Sequence, residues 1–294
     1  MTSRLFAIAL LGTLAVPAFA ATPIDETRPL DARGKLEVEN LKGRIEVRTW
    51  DRPEVRITGS LGDGVERLEI GDGGGELSVR VRYPRNSRNT EPTTLVLDVP
   101  RQASVDVDSV AADIEVNGIA GASLDIESVS GEIVAIGAPG KASVESVSGD
   151  LRLNLNSRDV DAESVSGNIA LRGRISGEVG VETVSGNIDV DSRGERMQRV
   201  DSSSVSGDAA IRGALAGSGS ISAESVSGDI RVTLPRGLSA RVKGSSFSGT
   251  LDAPDATIHK ERFGPGASFE HSYGAGDGEI SIETFSGDAE LRLE

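Results

Sequence analysis

The sequence predicts an all-β chain that forms a single β-solenoid, similar to a parallel β-helix, and three observations support this prediction. The first is a short motif, [Ser/Thr]-[Val/Phe]-Ser-Gly, which occurs eight times in the 294 residues. The second is its spacing, because successive motif glycines lie 18, 18, 19, 21, 21, 21 and 38 residues apart. The third is the composition, since 36 Gly against one Trp, two Tyr and six Phe suit a thin, repetitive interior.

Each repeat is expected to supply two short strands. Apolar residues alternate with polar ones on both sides of the motif glycine, as in Val160, Ala162, Val165, Ile169 and Leu171 around Gly167. Alternation at period two predicts strands with one buried face, so Val165 and its equivalents are expected to face the interior. The eight motif copies and the diverged copies around Gly43 and Ala112 then give about ten rungs. The repeat glycines are Gly43 in a diverged copy, Gly131, Gly149, Gly167, Gly186, Gly207, Gly228, Gly249 and Gly287.

An antiparallel arrangement is the alternative fold. In it each Ser-Gly would be a hairpin turn. Hairpin turns favour Asn-Gly or Asp-Gly, and the flanks of this motif both carry inward patterning, so the parallel solenoid is preferred.

The chain divides into four stretches. Residues 1–20 have one positive charge, an apolar run and an Ala-x-Ala ending, which predicts a signal peptide cleaved after Ala20. Residues 21–33 are expected to be a flexible lead, residues 34–106 diverged rungs with longer β excursions, and residues 107–294 the regular array. We therefore expect an exported protein, periplasmic, secreted or on the cell surface, with no transmembrane segment in the mature chain.

The opening segment and the repeats together resemble a known family. GKLEVENLKGRIEV at residues 34–47, followed by Trp50 and Asp51 and then the SVSGDI repeats, is similar to the putative-adhesin β-strand-repeat family. The resemblance covers nearly all of the mature chain. It implies an exported or envelope protein of bacteria, a repetitive β fold and a surface-binding role, and it carries no catalytic residues.

Charge and composition exclude several classes of function. The formal net charge is −15, and a nucleic acid would be repelled by it. The chain has no Cys, which excludes disulfides, Cys-ligated metals and thiol nucleophiles.

Acidic residues recur at fixed places in the repeat and are expected to form columns on the outer surface. One interpretation is a ladder of calcium ions held by carboxylates. The other, which we prefer because neither the short Gly-Asp calcium repeat nor an EF-hand loop is present, is a solvated acidic face. No cofactor is therefore expected. The metal candidates are Glu127, Glu145, Glu163 and Glu182.

The recurring serines are not expected to be catalytic. A Ser nucleophile needs an adjacent base, and the two His of the chain are remote from most copies of the motif. The hydroxyls are better explained as partners of backbone groups at the bend. We expect a non-enzymatic binding or structural module whose partner is an envelope or extracellular protein or a glycan. A carbohydrate-active β-helix enzyme, a polysaccharide lyase or hydrolase, is the alternative.

One inserted loop, residues 254–278, fits no rung. Long excursions from a regular scaffold often carry function, so this segment is either a binding loop or a cap over the last rung. Its candidate residues are His259, Phe263, Phe269, His271 and Tyr273.

Overall fold

β-Strands form the regular structure of this chain, and the part that the structure describes contains no α-helix. This computed structural model describes residues 22–85, 89–262 and 264–294, so the predicted signal peptide lies outside it. The all-β prediction is confirmed. The first strands are β1 (Thr22–Pro29), β2 (Lys35–Trp50), β3 (Glu54–Leu61), β4 (Arg67–Gly73), β5 (Glu76–Arg82), β6 (Thr93–Pro100), β7 (Ser104–Ile119), β8 (Ser123–Ser130), β9 (Ile133–Gly137), β10 (Lys141–Ser146), β11 (Leu151–Leu155) and β12 (Asp159–Ser164). The remaining strands are β13 (Ile169–Arg172), β14 (Glu178–Thr183), β15 (Ile188–Ser204), β16 (Ala209–Ser225), β17 (Ile230–Leu234), β18 (Ala240–Ser246), β19 (Leu251–Asp252), β20 (His259–Lys260), β21 (Ala267–Tyr273), β22 (Gly278–Thr284) and β23 (Ala289–Leu293).

The strands pair into two layers that meet at the Ser-Gly bend of each repeat. The first layer contains the strand before each bend together with β4, β5, β20 and β21 at its ends. Its order is β4, β5, β2, β7, β8, β10, β12, β14, β15, β16, β22, β18, β21, β20. The second layer contains the strand after each bend, in the order β1, β3, β6, β2, β7, β9, β11, β13, β15, β16, β17, β23, β19. The strands β2, β7, β15 and β16 are long enough to contribute to both layers.

Equivalent residues of successive repeats lie side by side in parallel register. Val144 of β10, for example, pairs with Ile126 on one side and with Ala162 on the other. The antiparallel hairpin alternative is therefore wrong for the repeat array. Within the described residues, antiparallel pairs occur only near the two ends of the stack, where β3 pairs with β1 and β6, β4 with β5, and β21 with β18 and β20.

The core lies between the two layers and is narrow. Ile126 of the first layer and Ile133 of the second are 1% and 0% exposed. Aliphatic side chains of this size fill the space in repeat after repeat, and their burial provides the main stabilising term of folding.

The prediction that the Val of each motif faces this core is wrong. Val165 is 45% exposed, whereas Ser164 beside it is only 5% exposed. The inward position at the bend is occupied by the hydroxyl because the turning backbone presents an N–H there, and the Ser164 side chain accepts a hydrogen bond from the Gly167 N–H at 2.9 Å. The alternation of the strand ends at this Ser, and the following Val points to solvent.

The N-terminal lead predicted as flexible over residues 21–33 is instead largely a strand. Thr22–Pro29 forms β1, which pairs along its whole length with β3. Ile24 is 8% exposed and joins the core cluster. The backbone hydrogen bonds to β3 and two apolar anchors, Ile24 and Leu30, explain why the segment is ordered.

The last repeat of the sequence is not the last repeat of the stack. Ile280 of β22 pairs with Ile221 of β16 on one side and with Val242 of β18 on the other. The repeat centred on Gly287 therefore lies between those centred on Gly228 and Gly249. The segment 254–278 crosses the outermost repeat, and its strand β21 runs antiparallel to β18.

Candidate functional site

The most extended surface feature is a groove that follows the bends along the first layer. In most repeats a Glu, a Ser or Thr and a Val precede the bend in succession; Asp or Ser replaces the Glu in three repeats and Phe replaces the Val in two. Because alternate residues of a strand point to opposite sides, Glu163 faces out and Ser164 faces in, and the turn at the bend then brings Val165 out again. The Glu and the Val form the two walls and the hydroxyl lies between them.

Stacking of the repeats extends this arrangement into a long groove. One stretch, from Asp108 to Val205, has a volume of about 570 Å³. The next stretch has a volume of about 590 Å³ and begins at Ser203 and Val205, which line both. It ends against Glu261 and Ser268 of the segment 254–278. The groove is therefore continuous across most of the stack.

One wall of the groove is acidic. Its residues occupy one register position in neighbouring strands, about 4.8 Å apart. They are, in spatial order, Glu39, Asp108, Glu127, Glu145, Glu163 and Glu182, then Ser203, Glu224, Glu283 and Ser245. We call this column the acidic wall. In the part of the chain that the structure describes, none of the four sequence-predicted glutamates, from Glu127 to Glu182, has a Lys or Arg nitrogen within 4 Å.

Burial and crowding change the ionisation of two carboxylates in the acidic wall, Asp108 and Glu163. Partial burial, followed by the negative charges of Asp161, Glu145 and Glu182, raises the pKa of Glu163 above its ordinary value. Burial and neighbouring acids, Asp106 first among them, raise the pKa of Asp108 in the same way. Both shifts have the sign expected where like charges stack without counterions.

The opposite wall is apolar. It consists of the second residue of each motif, and every member is between 45% and 56% exposed. We call this column the apolar wall; its members in spatial order are Val110, Val129, Val147, Val165, Val184, Val205, Val226, Phe285 and Phe247. The two Phe rings stack at the end nearest segment 254–278, with centroids 4.7 Å apart and planes 8° from parallel. A row of large apolar side chains left in solvent is unusual on a protein surface.

The floor of the groove is made of buried hydroxyls. Ser146 and Ser164 each accept a hydrogen bond from the N–H of their motif glycine at 2.9 Å. Ser246 instead donates to the carbonyl of Gly287 at 3.1 Å. Ser204 and Ser225 differ, because their side-chain oxygens are buried without a hydrogen-bond partner. Most of the floor thus serves the bend, and two positions have unused hydrogen-bonding capacity.

The acids and amides that follow the motif glycines have a structural role. The N–H of Asn168 donates to Asp150 Oδ1 at 3.0 Å, and the N–H of Asn187 donates to Asn168 Oδ1 at 3.0 Å. The same bond continues through Asp208, Asp229, Asp288 and Thr250. The bond from the Thr250 N–H is the main reason that the pKa of Asp288 is lowered. These side chains tie successive bends together.

A grouping of carboxylates close enough to hold a metal occurs, within the described residues, only at the N-terminal end of the acidic wall. Oxygens of Glu37, Glu39 and Asp108 lie within 4.8 Å of one another. The guanidinium of Arg80 is already placed against two of them, 2.8 Å from Glu37 and 3.0 Å from Glu39. The calcium candidates Glu127, Glu145, Glu163 and Glu182 form no such group in this part of the chain.

The candidate loop residues are placed unequally. Phe269 and Tyr273 are buried, at 4% and 9% exposure, against the outermost repeat. His271 is half-buried and meets the Tyr273 ring edge-on at 4.6 Å, and His259 is exposed. Phe263 lies outside the described residues. The Tyr273 hydroxyl donates to the carbonyl of Pro254, which holds the two ends of the loop together.

A family model described as Toastrack DUF4097 matches residues 25–215, well over half of the chain. The chain belongs to the Toastrack DUF4097 family. The family expected from the sequence motifs is thereby confirmed, together with a solenoid-like all-β fold. The matched range ends inside β16, yet the Toastrack stack continues in the same register through the later repeats.

Several solved structures are similar to this Toastrack chain. A putative cell adhesion protein from Clostridium sporogenes is 12% identical, over 93% of this chain and 100% of that one, with a TM-score of 0.26. A putative adhesin from Bacteroides fragilis is 12% identical over 94% and 98%, with a TM-score of 0.44. A putative adhesin from Parabacteroides distasonis is 13% identical over 92% and 97%, with a TM-score of 0.48. A search of curated protein sequences found no match.

The described part of the Toastrack chain has no helix with the length and apolar character of a membrane span. The apolar wall is the feature that reasoning from the sequence missed. A signal for it was available, because Phe247 and Phe285 replace Val at the same motif position. A column that accepts Val and Phe alike is easier to place on an open surface than in a narrow core.

Proposed function

We propose that this protein is an exported, non-enzymatic β-solenoid of about ten rungs that acts as an adhesin-like binding module of the bacterial envelope. The groove between the acidic and apolar walls is the proposed binding surface. The observation that supports it is the row of nine half-exposed Val and Phe side chains, which a protein without a partner has no reason to leave in water. Export rests on the signal-peptide pattern of residues 1–20.

The partner in this proposal is an envelope or extracellular protein or glycan. Its binding is tested with the purified mature protein and native envelope material. Val165→Asp places a charge in the apolar wall at an exposed position and is expected to abolish capture. Ile136→Asp is the matched control, because Ile136 is also 45% exposed but lies on the second layer, outside the groove. Equal capture by both variants would contradict the assignment of the binding surface.

The non-enzymatic part of the proposal needs its own test. The protein is incubated with acidic polysaccharides and the mixture is examined for new reducing ends or unsaturated products. No turnover is expected. Turnover that disappears when one acid of the groove is replaced would establish the carbohydrate-active alternative.

Export is tested by cell fractionation and N-terminal sequencing. The mature chain is expected outside the cytoplasm and is expected to begin after Ala20. An intact N-terminus on cytoplasmic protein would contradict this.

A further inference from the structure

We propose that the groove binds a basic amphipathic polypeptide segment, which lies along the stack with its Lys and Arg side chains against the acidic wall and its apolar side chains on the apolar wall. This inference rests on the proposed function and deepens it by naming the chemistry of the partner. Four properties of the groove support it.

The first property is charge. The run of acids from Glu127 to Glu182 has no cation within 4 Å among the described residues, and the chain as a whole carries a net charge of −15. A wall of stacked carboxylates without counterions is neutralised most directly by a cationic partner. An acidic polysaccharide, a nucleic acid or a second copy of this chain would bring more negative charge to the same surface.

The second property is the apolar wall on the other side of the groove. A metal ion or a simple polyamine would satisfy the carboxylates and leave this wall in water. Its members are aliphatic at seven of the nine positions and stay exposed along the whole stack. A partner that covers both walls therefore has cationic and apolar groups on adjoining sides, as an amphipathic peptide does.

The third property is the pair of unused hydroxyls in the floor. Ser204 and Ser225 are 5% and 6% exposed, line the second stretch of the groove and have no hydrogen-bond partner. A buried polar group without a partner is costly, and a hydroxyl can both donate and accept. These two positions point to a ligand with polar groups that reach between the walls, such as the amide or hydroxyl groups of a peptide.

The fourth property is periodicity. Neighbouring repeats are about 4.8 Å apart. One turn of an α-helix rises about 5.4 Å, so a helix lying along the groove places successive turns close to successive repeats. Over four intervals the two periods drift apart by only about 2–3 Å, which long Lys and Arg side chains can span.

The experiment uses the mature protein and a synthetic helical peptide of about 18 residues, made only of Leu and Lys in amphipathic order. An otherwise identical peptide with Glu in place of Lys is the second probe. Binding is measured by fluorescence anisotropy at low and at moderate salt. We expect the basic peptide to bind, its affinity to fall as salt rises, and the acidic peptide not to bind.

Two charge-matched variants locate the site. Glu145→Gln with Glu182→Gln removes two charges from the acidic wall and is expected to weaken the basic peptide by about fivefold. Asp31→Asn with Asp72→Asn removes two exposed charges that do not line the groove and is expected to change the affinity by less than about twofold. Melting curves of both variants establish that the fold is intact.

Equal binding of the two peptides, or equal effects of the two variants, would overturn this inference. The proposed function is judged separately by the capture of envelope material. If capture of envelope material depends on Val165 but no peptide binds in the groove, the proposed function is supported. Only the proposal of a basic polypeptide partner is then refuted.

Discussion

The carbonyl oxygen of Gly149 lies directly over the α-carbon of Gly167, so a β-carbon added to Gly167 would be 1.9 Å from that oxygen. The same contact recurs between successive motif glycines along the stack. Glycine is therefore required at this position of the motif, because one bend approaches the next too closely to admit a side chain.

We expect Gly167→Ala to destabilise the protein by at least about 2 kcal/mol, because the backbone of two repeats must separate to admit the methyl group. Gly217→Ala is the control, since a β-carbon there meets no atom within 4 Å. Thermal or urea unfolding of both variants checks this. Similar midpoints for the two would mean that the stack tolerates the wider spacing.

The inward and outward positions of one repeat can be compared directly. Val160 is 3% exposed and Val165 is 45% exposed. Val160→Asp buries an unpaired charge and is expected to lower the free energy of unfolding by about 3 kcal/mol or more. Val165→Asp is expected to change the unfolding free energy by less than about 0.5 kcal/mol. Comparable losses at both sites would contradict the exposed apolar wall.

The acidic wall predicts a dependence of stability on pH. The pKa of Glu163 is raised in the folded protein, so its charged form is penalised by folding. That penalty is fully present above the raised pKa and disappears as the pH falls through it towards the unfolded value. Glu163→Gln is therefore expected to raise the melting temperature at neutral pH, by the equivalent of about 0.5 kcal/mol.

The gain should shrink as the pH is lowered from about 7 to about 4, where the wild-type carboxyl becomes neutral. Melting curves of the variant and the wild type across this range measure it. Asp31→Asn, at an exposed position that does not line the groove, provides the comparison. A gain that grows on acidification would have the wrong sign for stacked carboxylates.

The segment 254–278 covers the outermost repeat through Phe269. Its ring lies over Gly244, where an added β-carbon would be only 2.1 Å from the ring. Phe269→Ala is expected to lower stability by about 3 kcal/mol and to promote aggregation through the uncovered edge. His259→Ala, at an exposed position of the same segment, should melt as the wild type does. Unchanged melting of Phe269→Ala would rule out a covering role.

The regular part of the fold was predictable because the same alternation of apolar and polar residues recurs in every repeat. Alternation at Val160, Ala162, Ile169 and Leu171 predicts two buried faces, and these residues are buried. The phase at the bend was not predictable from alternation alone. Either Ser164 or Val165 can continue the pattern, and the choice is made by a hydrogen bond to the Gly167 N–H that hydrophobicity does not reveal.

The order in which the repeats stack could not be predicted from the sequence either. Copies with nearly the same residues can stack on one another in any order, so local patterning does not distinguish the neighbour of Ile221. Nor does the motif spacing, because a gap of 38 residues suits two consecutive turns equally well. The groove had a partial signal, since the acidic column was visible in the sequence and its apolar counterpart was assigned to the core.

The position of β22 and β23 has a consequence for how the molecule is made. These strands are synthesised after their neighbours on both sides, because β16 with β17 and β18 with β19 come from earlier parts of the chain. A stack that closed in order of synthesis would fill their place with the wrong repeat. A premature stop codon before residue 279 would therefore remove β22 and β23 from within the stack. In every such truncated product, β18 and β19 would lose the strands that connect them to β16 and β17.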